Sequence, residues 1–206
     1  MSAKNIDIRH IAVDFDISEK EVNNNFIKLF SNINDLIKYQ IINKISILTI
    51  GLPKVDDDKI VEFLKYYVNK SFIDNNKIKV SFIGKWYDVS SNLVSEIKRL
   101  LDISRDNDTY YLNFAINYDG YEEIVDACKL VVRKVMNNKI SIDSVNEVII
   151  KENLSTSNFI SPDLIIKMGN NSVNNKLNGF LLWDSKNSKI IFTKKSALDF
   201  RVDDLF

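Results

Sequence analysis

The sequence predicts an α/β fold in which a mostly parallel central sheet is flanked by helices. Three observations predict it. Apolar runs of strand length alternate with amphipathic segments of helix length along most of the chain, in repeated β–α order. The run ISILTI at 45–50 is apolar on both faces, as a strand covered on both sides must be. Only five glycines and two prolines punctuate the 206 residues, which leaves room for long regular elements.

The elements follow in order. IRHIAVDF at 8–15 is the first strand, with the polar DISEK after it. From Glu19 to Ile41, Val22, Phe26, Leu29, Phe30, Ile33, Leu36 and Ile37 recur at helical spacing. ISILTI is the second strand. The next helix runs from Asp57 to Lys70, and Asp56, Asp57 and Asp58 place negative charge at the positive end of its dipole. KIKVSFIG at 77–84 and YYLNFAINY at 110–118 are strands, followed by helices over 89–104 and from Glu122 to Asn137. ISIDSVNEVIIKENL at 140–154 reads as a short helix with Ser141 or Asp143 near its cap. PDLIIKMG at 162–169 and KIIFT at 189–193 are the last strands. Ile11, Val13, Ile47, Leu48, Val80, Phe114 and Ile165 are expected in the buried sheet. Trp86 and Trp183 are expected as core or interface anchors, and Cys128 as a small buried hydrophobe. His10, alone inside an apolar strand, is expected to be a hydrogen-bonded structural residue.

Composition narrows the function. Lys+Arg and Asp+Glu both number 28, so no basic excess exists to hold a nucleic-acid backbone. One cysteine and one histidine cannot build a Cys/His zinc site, and a divalent metal would need oxygen ligands. No apolar run approaches the ~18 residues of a membrane span, and the first residues lack a signal-peptide core. A cytoplasmic protein with one domain over 1–206 is the expectation. No P-loop, G-x-G-x-x-G or Ser/His/Asp set appears in the context its mechanism needs.

Three segments, in order, resemble the cis-prenyltransferases, the family of undecaprenyl and dehydrodolichyl diphosphate synthases. RHIAVDFD at 9–16 is similar to the family's R-H-I-A-I-I-M-D-G-N, and LNFAINYDGYEEIVDACK at 112–129 to its L-N-I-A-x-N-Y-G-G-R-x-E-I-V. SPDLIIKMG at 161–169, with KLNGFLLWDSKNSKIIFTKKSALDF at 176–200, resembles its P-D-L-x-I-R-T-G-G and the R-L-S-N-F-L-L-W segment that follows. The resemblance covers nearly the whole chain. It implies an undecaprenyl diphosphate synthase-like parallel sheet, a dimer, a hydrophobic tunnel, and condensation of isopentenyl diphosphate with an allylic diphosphate.

Matched position by position, the resemblance implies the site. Asp16 stands at the family's Asp after the first strand and is the expected catalytic and magnesium-handling residue; the alternative is a cap of the next helix. Asp14 points to the same strand face and replaces an apolar family residue, as a second acid or a polar strand end. The family's G-N-G-R becomes Ile17, Ser18, Glu19 and Lys20, of which Lys20 keeps a positive charge for the diphosphate. Its F-S-x-E-N segment becomes GLPKV at 51–55. The isopentenyl diphosphate arginine becomes Lys167, Gly169 is retained, and R-L-S becomes Lys176, Leu177 and Asn178. A lysine neutralises phosphate without the bidentate fork of arginine. Lys189 replaces the acid that would complete the metal site, which weakens the case for Mg2+. Tyr121 stands for the arginine of N-Y-G-G-R, and the family's C-terminal R-x-G is missing after DDLF.

A retained scaffold with altered phosphate motifs leaves three readings. The first is a subunit of a heteromeric polyprenyl diphosphate synthase, paired with an orthodox homologue. The second is a self-sufficient, divergent prenyltransferase or terpene-forming enzyme. The third is a non-catalytic prenyl-diphosphate-binding or scaffold protein. A homodimer or heterodimer contact is expected around Phe180 to Phe192, with peripheral membrane contact open.

Overall fold

A computed structural model describes residues 8–68, 71–169 and 176–202. Six strands form one sheet: β1 (His10–Asp16), β2 (Ile47–Gly51), β3 (Ile78–Ile83), β4 (Tyr110–Ala115), β5 (Leu164–Gly169) and β6 (Lys189–Thr193). Their order is β3-β4-β2-β1-β5-β6, and every pairing is parallel. The helices are α1 (Glu19–Ile42), α2 (Asp57–Val68), α3 (Phe72–Asn75), α4 (Ser91–Ile103), α5 (Gly120–Met136) and α6 (Glu147–Lys151). All seven residues expected in the sheet are buried. Among the described residues, no helix is long and apolar enough to cross a membrane.

Alternation along the strands divides the core. Ile11, Val13 and Phe15 of β1, with Leu48, Ile50, Leu112 and Phe114, face the large cluster that α1, α2 and α4 cover. The opposite face holds smaller apolar residues, Ala12, Ala115 and Ile165, under Phe180 and Leu181. Buried polar residues share that face: His10, Thr49 and Asn113 lie on β1, β2 and β4.

Several expectations change. Ser18, not Asp16, caps α1, its hydroxyl accepting the Glu21 N–H. The segment 140–154 is not one helix. Ser141 and Asn146 each cap a separate start, giving a 3-10 turn over Ile142–Ser144 and then α6. Two competing caps so close together divide a segment that periodicity alone would join. Cys128 is exposed, because α5 buries only a narrow face, Gly120, Ala127 and Val131. Trp86 packs against the large core half-buried, and Trp183 is half-buried. Phe180 and Leu181 lie inside this chain's own core, so they offer no surface to a partner.

Candidate active site

Parallel sheets bind ligands at the carboxyl ends of their strands, where successive connections diverge to opposite sides. Here β1 leads to β2 on one side, while its neighbour β5 leads to β6 on the other. The switch point therefore lies between β1 and β5.

The register brings two expected site residues together there. Asp14 pairs with Lys167 across the β1–β5 ladder, and Asp16 pairs with Gly169 two rungs further out. The Lys167 ammonium donates to Asp14 Oδ2 at 2.5 Å, with the two side chains only 8% and 17% exposed. A charge-assisted bond at this depth is strong and fixes both groups. Gly51, the rung opposite Asp14 on β2, makes the arrangement fit. A Cβ there would stand 2.7 Å from Asp14 Oδ1 and 3.0 Å from the Phe180 ring. The carboxylate is thus set against bare β2 backbone, with Phe180 close beside it.

Of the other expected residues, Lys20 is exposed in the first turn of α1. Lys176 and Asn178 are exposed on the segment that delivers Phe180. The Asp16 side chain and residues 170–175 lie outside the described part, as does DDLF at 203–206. Lys189 begins β6 opposite Leu164, at the amino end of β5. Within one chain it does not join Asp14 and Lys167 near the carboxyl end. Tyr121 is exposed, its ring beside Gly179.

The donor set for magnesium is small. Among the described residues, no three His, Cys, Asp or Glu side chains gather as a metal site. Asp14 is bonded to Lys167, and the Asp16 side chain, the expected magnesium residue, lies outside the described part.

Sequence reasoning missed a groove at the same edge of the sheet, on the side that α2 covers. The residue after Gly51, Leu52, lines it with Val55, Ile60, Val89 and Ile116 and with the polar Glu19, Lys54, Asp57 and Asn117, and its volume is about 390 Å³. Tyr118 also borders it, donating its hydroxyl to Glu123 Oε2 at 2.5 Å. Burial and the neighbouring Glu123 carboxylate push the Tyr118 phenol well above its usual range, so it stays protonated. The apolar residues of GLPKV were the available signal: Leu52 and Val55 follow a buried strand and continue its apolar surface.

Comparison with known proteins bears on the family and the fold. A family profile described as "Putative undecaprenyl diphosphate synthase" matches residues 24–206. An isoprenyl transferase of Oceanobacillus iheyensis is 29% identical over 185 residues, spanning 84% of this chain and 71% of the relative. A tritrans,polycis-undecaprenyl-diphosphate synthase (geranylgeranyl-diphosphate specific) of Thermoplasma volcanium is 33% identical over 153 residues, spanning 68% of this chain and 58% of the relative. Lavandulyl diphosphate synthase from Lavandula x intermedia, solved with dimethylallyl diphosphate, shares the fold with a TM-score of 0.84. Its identity is 22%, over 96% of this chain and 92% of that one.

Proposed function

Because the chain belongs to the undecaprenyl diphosphate synthase family of prenyltransferases, we propose that it condenses isopentenyl diphosphate with an allylic diphosphate at the carboxyl ends of β1 and β5. The observation that carries this reading is the Lys167 ammonium held at the switch point. In such a reaction the allylic C–O bond breaks, diphosphate leaves with the electron pair, isopentenyl carbon forms the new C–C bond, and a proton departs. Lys167 would hold the isopentenyl diphosphate, with Gly169 backbone, Lys176 and Asn178 beside it. Lys20, at the start of α1, would meet the allylic diphosphate. Magnesium held by Asp16 and phosphate oxygens would supply further positive charge against the leaving group.

A second reading, a subunit that works with an orthodox homologue, draws support from the same ion pair. Asp14 neutralises the lysine that should attract phosphate, so affinity of this chain alone is reduced. Incubation with labelled isopentenyl diphosphate, magnesium and dimethylallyl, geranyl or farnesyl diphosphate separates the two. Product from the chain alone supports a self-sufficient enzyme, and product only after adding the homologue supports the subunit. No product either way contradicts both and leaves a binding protein. Because the Lys167 ammonium offers positive charge at the switch point without a metal, EDTA is expected to weaken diphosphate binding by less than about tenfold. Calorimetry with and without magnesium checks it, and a strict requirement abolished by Asp16→Ala contradicts it.

Within the contact expected around Phe180–Phe192, β6 offers Ile190 at the sheet edge, 37% exposed, and α5 adds an outer stripe of Tyr121, Val125, Val132 and Met136, 65%, 51%, 54% and 76% exposed. The N-terminal half of α5 carries Glu122 and Asp126 and the C-terminal half Lys129 and Arg133, so two antiparallel copies have complementary charge. Val132→Glu is expected to turn a dimer into a monomer by sedimentation at tens of micromolar. A monomeric wild type under those conditions contradicts the self-contact.

A further inference from the structure

We propose that the cavity between α5 and the loop after β3 binds a small organic amine, its apolar body against Trp86, Tyr87 and Leu130 and its ammonium beside Asp119 and Glu123. The sheet order sets this cavity apart from the Asp14–Lys167 pair, because β3 and β4 lie across β2 from β1.

The chain builds the walls from three stretches. β3 ends at Ile83, and Gly84, with φ at 83°, turns the backbone into Lys85, Trp86 and Tyr87. A Cβ at Gly84 would stand 2.4 Å from the Ile116 carbonyl oxygen, so a side chain there would collide. On α5, Glu123, Ala127 and Leu130 recur at helical spacing and share one wall. Leu154 and Ser155 complete the lining. The volume is about 380 Å³, within the roughly 300–1,000 Å³ of small-molecule sites.

The lining joins aromatic surface to negative charge. Trp86 and Tyr87 meet at 6.0 Å with their planes at 72°, forming a corner of two rings. Tyr87 is 58% exposed and Leu130 42%, so both present apolar surface to a ligand. A cation within about 6 Å of a ring face is drawn to it. Four carboxylates line the cavity, Asp119, Glu122, Glu123 and Asp126, against one ammonium, Lys85. Glu122 holds Lys85 at 2.8 Å, and Asp126 holds Lys129 at 2.8 Å.

The other two carboxylates are held by neutral donors. Asp119 accepts the Tyr121 and Glu122 N–H groups, while Glu123 accepts from the Tyr118 hydroxyl, the Ser155 hydroxyl and the Thr156 N–H. Among the described residues, neither has a cation within ion-pair distance. Their orientation is therefore fixed while their charge is not cancelled. The amino end of α5 contributes about half a positive charge, which two full carboxylates exceed. An ammonium gains both the field and the rings, a neutral analogue gains only the apolar contacts, and an anion is repelled.

The test is calorimetric titration with three probes of similar size, phenethylammonium, 2-phenylethanol and phenylacetate. Phenethylammonium should bind at least tenfold more tightly than the alcohol, and phenylacetate should not bind. Asp119→Asn with Glu123→Gln keeps the cap and the side-chain sizes, and should cost the amine at least tenfold while leaving the alcohol unchanged. Tyr87→Ala should weaken the amine severalfold, and Tyr87→Phe should restore it. The wild-type probes decide the matter even if the double variant does not fold. Equal affinity for amine and alcohol, or no amine binding at about 10 mM, overturns the proposal. Amine affinity unchanged in both the double variant and Tyr87→Ala overturns its placement in this cavity.

Discussion

Lys167→Met should destabilise the fold by about 3 kcal/mol, and adding Asp14→Val should return most of that loss. Removing one partner of a buried ion pair takes away its compensation of the other charge, at a cost of about 3–5 kcal/mol. The low end applies because the two side chains keep 8% and 17% exposure. Replacing both by apolar residues removes both charges and is often neutral or stabilising. Valine at 14 also suits its neighbours, since Ala12 precedes it on the same face and the Phe180 ring lies against Gly51 opposite. The measurement is the urea midpoint of the wild type, both single variants and the double variant. Strictly additive losses would mean that the two residues do not act as a pair.

Below pH 6.5 the fold should lose stability through His10, by about 2 kcal/mol between pH 7 and pH 5. His10 is fully buried, and desolvation lowers its pKa from 6.5 to about 4, outweighing its bond to the Ile160 carbonyl. Its ring spans the smaller core. Nδ1 meets the Ile160 carbonyl at 2.7 Å, Nε2 meets the Thr49 hydroxyl at 2.8 Å, and Asn113 donates to the same hydroxyl at 3.0 Å. A neutral ring with Nδ1–H donating and Nε2 accepting from Thr49 satisfies every group. A second ring proton would force Thr49 to turn its own hydrogen away inside the core. Between pH 4 and 6.5 the unfolded chain binds the proton and the folded chain does not, so stability rises with pH. Each unit is worth about 1.36 kcal/mol. The contribution is complete above pH 6.5 and lost as pH falls toward 4. His10→Gln should flatten the profile between pH 7 and 5, and an unchanged slope in that variant would assign it to other groups.

The fold was legible because short apolar runs alternate with helically spaced segments. The run ILTI, apolar on both faces, and the spacing from Val22 to Ile37 name residues that the structure buries. The site was legible in part. Asp14 and Lys167 could each be singled out, yet their bond spans 153 positions and exists only in the register of β1 on β5. A chain read along its length does not reveal which rungs oppose. Gly51 belongs to the same class, since its role is to leave room for a carboxylate on the neighbouring strand. Cys128 was misjudged because helical spacing shows that a stripe is apolar, not that something within the chain covers it. Lys189 was set beside Asp16 by motif alone, while the parallel register of β6 puts it at the other end of β5.

The central claim, that Lys167 forms the floor of a diphosphate site, is tested most directly by titrating the thiolodiphosphate analogue of isopentenyl diphosphate. The comparison is between the wild type and the folded double variant Asp14→Val/Lys167→Met, with Asp14→Asn alongside. A charge-assisted phosphate contact is worth about 1.5–3 kcal/mol. The double variant should therefore bind roughly ten- to a hundredfold more weakly. Asp14→Asn, which removes the competing anion and keeps the lysine, should bind more tightly than the wild type. Equal affinity in all three proteins would contradict the account.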